Sequence, residues 1–452
     1  MKTRFLFATA FLIQSLFCAA QKAWTLQDCI EYAIANNVQI QQAEINEHIS
    51  KNNLLQSELN LLPSISGAAN YNFTFGYSIS PVDYQYSKTN SQQLTTSLNS
   101  NLTLINGLQK INTIRKSKAD AQAAGFDKQN TINNTTLQLT NYFLQVLLNK
   151  ELLAVAQSQL DISATQLDQA KAKLKAGTMA EAEIYQFESA EASNNASVIQ
   201  AKNNLSLSIL QLKIALQLPD SVGFDVAAPN ITNNMLTDIS RQSETELYSQ
   251  AVYNQPAIKS AQAKVASAIY GHKIAIGSLS PSISFNFMLG DNYYDQAAKV
   301  ISISPYVTEP ISFRDQFKNN LQKIAGFNLQ VPIFSGWSRM TNISNSKLQR
   351  QIQELELSNQ KNKFRQDIQQ AFNNAKGARE TYFANEKAAV SARKSYEAYQ
   401  KRFSVGMSNS FELQQAQTNL YKAESQSAQS KYSYLLYLKI LDFYQGKPIR
   451  ID

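Results

Sequence analysis

The chain has 452 residues and a formal net charge of +8, and only 17% of its residues are charged, against about a quarter in ordinary soluble domains. Its positive excess forms no basic cluster interleaved with aromatic residues, which argues against a nucleic-acid partner. The two histidines, His48 and His272, lie singly on predicted helices without other metal-ligand residues at suitable spacing. A glycine-rich phosphate loop is missing too. We therefore expect no metal, no cofactor and no enzymatic activity.

Residues 1–20 have the pattern of a secretory signal peptide: a basic start, an apolar run over 5–17 and small residues before the cleavage point. A lipoprotein signal would acylate Cys18, but the bulky Phe17 before it favours ordinary cleavage. Cleavage leaves Cys29 alone, so no intramolecular disulfide can form. No later apolar run reaches the length of roughly 18 residues that a transmembrane helix needs, so none is expected.

The rest of the chain repeats itself. The segment 62–66 (LPSIS) returns as 280–284 (SPSIS), which gives an offset of 218 in the numbering (280 − 62). Further along, Gly107 and Gly177 return as Gly336 and Gly406, and both glycines give an offset of 229 (336 − 107 and 406 − 177). Such spacing predicts an internal duplication in which each copy holds a helix, a β-hairpin, a long helix and a returning helix.

The duplication predicts the following organisation. The first repeat follows the signal peptide and covers 21–218, with a β-hairpin at about 64–106 and a long helix pair at about 107–218. An irregular connection at 219–242 leads to the second repeat at 243–446, with a hairpin at about 281–335 and a helix pair at about 336–445. A tail at 447–452 ends the sequence. The connection is expected to pack beside the C-terminal tail.

The predicted strands alternate strictly between apolar and small polar residues from Pro63 to Pro81. A soluble sheet lying on a core would explain this alternation. A membrane β-barrel with an apolar outer face and a polar lumen explains it better, because the remaining sequence offers helices and no complementary apolar layer. The aromatic residues of the apolar face would form the interfacial belt: Tyr71, Phe73, Phe75, Tyr77, Phe285 and Phe287.

Four strands cannot close a barrel, and an open sheet edge in lipid would leave backbone groups without hydrogen bonds. Several copies must therefore share one barrel, and three copies would give about 12 strands. The predicted fold is thus mostly helical, with a shared barrel and long helical hairpins.

The long helices carry a coiled-coil repeat. Large apolar residues recur every seven positions from Leu139 to Leu174, and mostly small residues follow three positions after each. A helix from Gly107 to about Lys175 would be roughly 100 Å long. Shorter helices are predicted at 25–61 and 243–278, each beginning in a capping-box-like pattern. Hairpins of this length, placed side by side in a ring, would enclose a hydrated tube.

With these features, the sequence resembles the outer-membrane factor, or TolC-like, efflux family over about Trp24 to Gly446. The resemblance is carried by the order of elements and by two glycine turns, KLKAGTMAEAEI at 173–184 and RFSVGMSNSFEL at 402–413. It implies a homotrimer in the outer membrane of a Gram-negative bacterium, with a twelve-stranded barrel and a helical periplasmic tunnel. It also implies a passive exit duct of a tripartite efflux or type I secretion system, opened by a periplasmic adaptor and an inner-membrane pump of the RND or ABC type.

The resemblance also implies roles for single residues. The two turns would form the periplasmic tips that meet the adaptor: Gly177, Thr178, Gly406 and Met407. Three positions would line the constriction of the tunnel: Glu412, Gln415 and Glu183. In a trimer the three Glu412 carboxylates would repel one another, which would raise their pKa. The alternative is a glutamate that stabilises the first turn of its helix.

Some family members lock the closed state with an arginine and a tyrosine near the second turn, where this chain has Ser408 and Phe403. That lock is therefore absent.

Two other classes of protein compete with the duct. A periplasmic adaptor-like coiled-coil scaffold would explain the helices but not the strands, and a plain diffusion porin would have no use for such helices. The sequence does not identify the exported substrate.

Overall fold

The computed structural model describes residues 23–79, 84–219, 223–229, 243–303, 306–447 and 449–450. The predicted signal peptide, Cys18 and much of the connection lie outside this part. The elements in chain order are α1 Leu26–Asn36, α2 Val38–Leu59, β1 Ser64–Ile79, β2 Tyr86–Asn106, α3 Gln109–Lys175, α4 Glu181–Leu216, α5 Glu244–Ala251, α6 Pro256–Gly277, β3 Ser282–Tyr294, β4 Ala298–Ile303, β5 Tyr306–Pro310, α7 Phe313–Asn319, β6 Gln322–Gln330, α8 Ser338–Ser404 and α9 Ser410–Tyr444. Within this part, no helix is long and apolar enough to span a bilayer.

The chain forms two compact units, and both copies of the repeat contribute to each. The helical unit takes its residues from the described parts of 1–45, 125–259 and 358–452. The sheet unit takes its residues from 46–124 and 260–357. The helices α3 and α8 therefore supply residues to both units.

The sheet unit contains a four-stranded antiparallel sheet in the order β1-β2-β3-β6. Its register shows the duplication residue by residue. In the first hairpin Ser64 faces Asn101, and in the second Ser282 faces Gln330. Adding the first repeat offset, 218, to the number of Ser64 gives Ser282, and adding the second offset, 229, to that of Asn101 gives Gln330. The two hairpins are thus equivalent in pairing as well as in sequence.

The second hairpin is more elaborate than the simple hairpin expected at about 281–335. Between β3 and β6 the chain adds the β4–β5 hairpin and the short helix α7. The side chain of Gln316, only 2% exposed, accepts a hydrogen bond from the Tyr294 amide (3.0 Å) and donates to the Tyr294 carbonyl (2.9 Å). Phe313 packs edge-on against Tyr293, with ring centroids 5.0 Å apart. These contacts hold α7 on the end of β3. No periodic pattern in the sequence predicts them.

The helices that precede the hairpins are broken, contrary to the expectation of single helices at 25–61 and 243–278. Asn37 adopts an extended conformation between α1 and α2, and its side-chain oxygen accepts a hydrogen bond from the Gln39 amide (2.9 Å). In the second copy Pro256 begins α6, because proline lacks an amide hydrogen and is tolerated in the first turn of a helix. Asparagine and proline are both common at helix starts, which explains both breaks.

The two predicted capping boxes differ. The Thr25 side chain and the Asp28 carboxylate exchange hydrogen bonds with each other's backbone amides, as expected (3.1 and 2.9 Å). Ser243 occupies the equivalent position before α5, but its side chain caps no amide among the described residues. The prediction is therefore confirmed for the first copy and wrong for the second.

One apolar core in the helical unit contains residues from both ends of the described part of the chain. Trp24 forms a parallel bridge with Val226, which is buried. The same cluster includes Ile449, so the described part of the connection, 223–229, shares a core with the tail, as expected.

The predicted coiled-coil seam is buried along much of α3. Leu139, Val146 and Leu167 are at most 9% exposed, and Ala156 and Ala170 are each 1% exposed. Small residues are therefore buried at the second position of the seam, as the heptad pattern predicts.

The helix α4 ends in a strained cap. Gln217 has φ +57° and ψ +35°, a left-handed conformation that costs a residue with a Cβ atom about 1–2 kcal/mol. Its counterpart in the second copy is Gly446, at φ +77°. The Gln217 side chain offsets part of the strain by accepting a hydrogen bond from the Val38 amide (3.1 Å).

This comparison predicts that Gln217→Gly is more stable than Gln217→Ala by about 1 kcal/mol. Both variants lose the side-chain hydrogen bond, and only glycine relieves the strain. Thermal unfolding followed by circular dichroism measures the difference. Equal melting temperatures would contradict the proposed strain.

Candidate site at the glycine turns and the exposed sheet

The two glycine turns have the same backbone geometry. Gly177 and Gly406 have φ +70° and +75°. After each glycine, the next amide donates back to a carbonyl of the preceding helix: Thr178 to Lys173 (3.0 Å) and Met407 to Arg402 (2.8 Å). This is the Schellman cap, which needs a left-handed residue and is therefore usually built on glycine. The turn residues are exposed, so both turns can meet a partner.

A buried apolar cluster lies behind the turns and joins the two helical hairpins of one chain. Phe187 of α4 is 1% exposed and packs against Phe403 of α8, with ring centroids 5.9 Å apart. The remaining buried members are Leu167, Ala170, Ile184, Tyr396, Leu413, Ala416 and Leu420. The cluster draws on all four long helices, so it fixes the spacing of the two turns within a chain.

Polar contacts reinforce this cluster. The Lys173 ammonium lies 4.2 Å from the centroid of the Phe403 ring and donates to the Phe403 carbonyl (3.4 Å). Gln166, one heptad earlier, donates to the Tyr396 hydroxyl (3.2 Å). Ser410 donates to the Gln186 side chain (3.0 Å). Cation–π contacts contribute about 0.5–2 kcal/mol, according to exposure.

Sequence reasoning missed these connecting residues, although a signal for them exists. Gln159, Gln166 and Lys173 recur at the heptad spacing, each directly before a leucine of the predicted seam. Tyr396 and Phe403 have the same spacing. A polar stripe with the same period as an apolar seam indicates contacts with a neighbouring helix.

Glu412 lies in the first turn of α9, where its environment favours the charged form. Its carboxylate accepts a hydrogen bond from the Ser408 hydroxyl (2.6 Å), and its amide donates to the Asn409 side chain (2.8 Å). The Ser408 hydrogen bond is the main cause that holds the pKa of Glu412 below its usual value, and the Arg402 charge adds to the effect. Within one chain the shift therefore runs opposite to the rise expected from repulsion in a carboxylate ring.

The other two residues that the resemblance assigns to the constriction are Gln415 and Glu183. Gln415 is exposed and donates to Asn419 on the next turn of α9 (3.2 Å). Glu183 is half-buried in the first turn of α4, where a carboxylate interacts favourably with the helix dipole. Glu183 and Glu412 thus occupy equivalent places in the two copies.

We predict that Ser408→Ala raises the pKa of Glu412 toward its usual value, because the largest cause of the lowering is lost. A lowered native pKa stabilises the fold above the unfolded-state pKa, and this contribution disappears as pH falls through the native pKa. The titration of ¹³C-carboxyl-labelled glutamate measures the change, with Glu412→Gln assigning the resonance. Ser404→Ala, which removes a hydroxyl bonded to the Lys401 carbonyl, is the control and leaves Glu412 unchanged.

The sheet exposes the expected aromatic face. Phe73, Phe75 and Tyr77 are 56%, 75% and 67% exposed, and Tyr71 is 49% exposed. Phe73 and Phe75 stack with ring centroids 6.4 Å apart, so they share a face. By contrast, Phe285 and Phe287 are half-buried. Phe285 packs against Phe327 of β6, 5.3 Å between ring centroids. Exposed aromatic residues in such density mark a contact with lipid or protein.

Comparison with known proteins agrees with this geometry. The family described as outer membrane efflux protein matches residues 29–216 and 247–446, which cover most of both repeats. The chain belongs to this family. It is therefore an outer-membrane protein that serves as an exit duct in efflux, and the adaptor-like scaffold is set aside.

Similar proteins match over almost the whole chain. The efflux protein BepC of Brucella suis is 22% identical over 94% of this chain and 87% of its own length. TolC of Escherichia coli is 22% identical over 93% and 82%. Among solved structures, VceC of Vibrio cholerae aligns with a TM-score of 0.77 at 12% identity, covering 94% of this chain and 97% of that one. The channel CmeC of Campylobacter jejuni gives 0.76 at 18% identity, covering 94% and 86%. These structures share the two-repeat fold.

Proposed function

We propose that three copies of this protein form one passive duct, with a shared barrel of about 12 strands in the outer membrane and a helical tunnel in the periplasm. The main support is the four-stranded sheet, which exposes an aromatic face and whose two edge strands have no outer neighbour among the described strands. An isolated sheet with open edges is unfavourable in lipid, whereas a closed ring satisfies every backbone group. The duct holds no cofactor and needs no nucleic acid.

The periplasmic end of the duct is opened by partners. We assign the adaptor contact to the two glycine turns, Gly177-Thr178 and Gly406-Met407, because they are exposed and rigidly capped. The adaptor links the duct to an inner-membrane pump of the RND or ABC type. A passive duct does not choose its cargo, so efflux substrates and proteins of a type I secretion system both remain compatible with it.

The constriction is assigned to Glu412, Gln415 and Glu183. A ring of three Glu412 carboxylates favours cations at the narrowest point. The lowered pKa of Glu412 within each chain keeps this charge in place, since Ser408 and Arg402 act against repulsion between copies.

The test is to record ion currents from purified protein in planar bilayers. Wild-type protein is expected to open cation-selective pores that divalent ions block, and Glu412→Gln to reduce both properties. Glu58→Gln removes a carboxylate from α2 and serves as the charge control, with unchanged selectivity. Normal currents from Glu412→Gln would remove this residue from the pore. A soluble monomer that conducts nothing would overturn the duct itself.

A further inference from the structure

The short helix α7 extends the aromatic face of the sheet. Phe313 packs against Tyr293, which lies on the same face of β3 as Phe285 and Phe287 because residues two apart on a strand point the same way. Phe313 and Phe317 stack with ring centroids 5.9 Å apart, and they are 51% and 48% exposed. The apolar side of α7 therefore continues the surface that the proposed duct turns toward lipid.

Charged residues on the aromatic face lie toward the hairpin tips. Among the described residues of the four strands, the charged members of this face are Lys88, Asp291 and Lys323. Lys323 is the second residue of β6 and lies opposite Leu289. Its counterpart in the first copy is Leu94 (323 − 229), so this cation is particular to the copy that carries the insertion.

Three exposed cations lie at this end of the second hairpin. Arg314 and Lys318 are four residues apart on α7, and Lys323 follows at the start of β6. None of the three forms an ion pair with a described residue. The acid beside them on α7 is engaged, because the Asp315 carboxylate accepts a hydrogen bond from the Ser312 hydroxyl (2.6 Å). The insertion thus presents positive charge beside an exposed apolar surface.

We propose that α7 and the start of β6 bind the phosphate groups of a phosphorylated glycolipid in the outer leaflet of the membrane. Arg314, Lys318 and Lys323 contact the phosphates, and Phe313 and Phe317 lie among the acyl chains. The inference rests on the proposed duct, which places the helices in the periplasm and therefore the hairpin tips at the outer surface.

The chemistry of α7 fits a lipid of this kind. An apolar stripe beside a basic one is typical of helices that lie in a membrane interface. Long basic side chains can rest along apolar surface while their charged ends reach the headgroups. The Arg314 guanidinium can also donate two parallel hydrogen bonds to one phosphate. Free phosphate would make no use of the two exposed phenylalanines.

A neighbouring copy of the chain is a poorer partner for these cations. The described strands contain two acidic residues, Asp291 and Glu309. Asp291 is only 6% exposed, and Glu309 is paired with Lys299 (3.9 Å). A sheet of this composition could cover the phenylalanines but would leave the positive charge without a counterion, whereas a phosphorylated lipid supplies both parts.

The test counts the lipids that remain bound to the purified, detergent-solubilised trimer in native mass spectrometry. The probes are bis-phosphorylated lipid A and the same glycolipid without its phosphates, with inorganic phosphate as a competitor. The variants are Arg314→Gln with Lys318→Gln, and Lys323→Gln alone. The control, Lys299→Gln with Lys347→Gln, removes the same charge as the double variant from two other exposed positions.

The wild-type trimer is expected to retain up to three phosphorylated lipid A molecules and several-fold fewer of the dephosphorylated form. The variants should weaken retention by about fivefold for each cation removed, and the control should match the wild type. Equal retention of the two glycolipids would overturn the inference. So would retention that depends on phosphate but is unchanged in the variants, since the anion would then bind elsewhere.

The other occupants give different results. Displacement of the glycolipid by inorganic phosphate alone would indicate a free-anion site and overturn the lipid assignment. A lower yield of trimer in the variants, with unchanged retention per trimer, would indicate a contact between copies and overturn it too. A wild-type protein that forms no trimer before lipid is added would overturn the duct as well, whereas a conducting trimer without phosphate-dependent retention refutes the lipid site alone.

Discussion

Gly107→Ala is expected to prevent stable folding of the sheet unit or to lower its stability by about 2–5 kcal/mol, the sum of backbone strain and overpacking. Gly107 has φ +60°, where an L-residue is strained by about 1–2 kcal/mol. An added Cβ atom would also lie 2.3 Å from the Gly277 carbonyl oxygen and 2.6 Å from the Ser280 Cβ. Neither of these neighbours is the end of a flexible side chain, so the backbone must move. Overpacking of this kind adds about 1–3 kcal/mol.

The duplication supplies a matched control. Gly336 is the counterpart of Gly107 and has φ +59°, but no described atom of the single chain lies within 4 Å of the added Cβ position. Gly336→Ala should therefore show only the strain, about 1–2 kcal/mol. The comparison uses the yield of folded protein in the outer membrane and the thermal unfolding of the detergent-solubilised protein. Equal losses in the two variants would show that the contact with Gly277 is unimportant.

Phe403→Ala is expected to loosen the contact between the two helical hairpins behind the glycine turns. Phe403 is 8% exposed and contacts both Phe187 and the Lys173 ammonium. Removing a buried phenylalanine side chain costs about 3–5 kcal/mol. The loss should appear as faster hydrogen exchange of backbone amides near both turns and, if this cluster holds the duct closed, as larger resting currents in bilayers.

Phe411→Ala is the control for this experiment. Phe411 lies in the first turn of α9 but is 67% exposed, so its removal should change stability by no more than about 0.5 kcal/mol. If Phe403→Ala exchanges no faster than Phe411→Ala, the apolar cluster does not hold the hairpins together. Since the arginine and tyrosine of the family lock are missing, the Lys173–Phe403 contact is our candidate replacement.

Periodic features of the fold could be predicted from the sequence, and local ones could not. The heptad leucines indicated the long helices, and the alternation from Ile65 to Ile79 indicated the first hairpin. Both signals extend over many residues, so single exceptions do not hide them. The break at Asn37 depends on one side chain bonding to nearby amides, which leaves no periodic trace.

The same difference between recognisable patterns and local contacts explains which parts of the candidate site could be predicted. The two glycine turns were visible because a left-handed helix end strongly favours glycine. The pKa of Glu412 was not predictable, because it depends on the hydroxyl of Ser408, which precedes α9, adopting one particular orientation. Likewise, Gln316 is the centre of the β3–β6 insertion, but only its three-dimensional contacts identify it.

The insertion between β3 and β6 has a consequence for immune recognition. Among the described residues only the second copy carries it, and the sequence leaves just six residues, 80–85, between β1 and β2, against the much longer segment 295–321 between β3 and β6. An assembly of three chains would thus display three such epitopes rather than six. An antibody raised against the β4–β5 hairpin would therefore decorate each channel with at most three Fab fragments, a stoichiometry that electron microscopy can count.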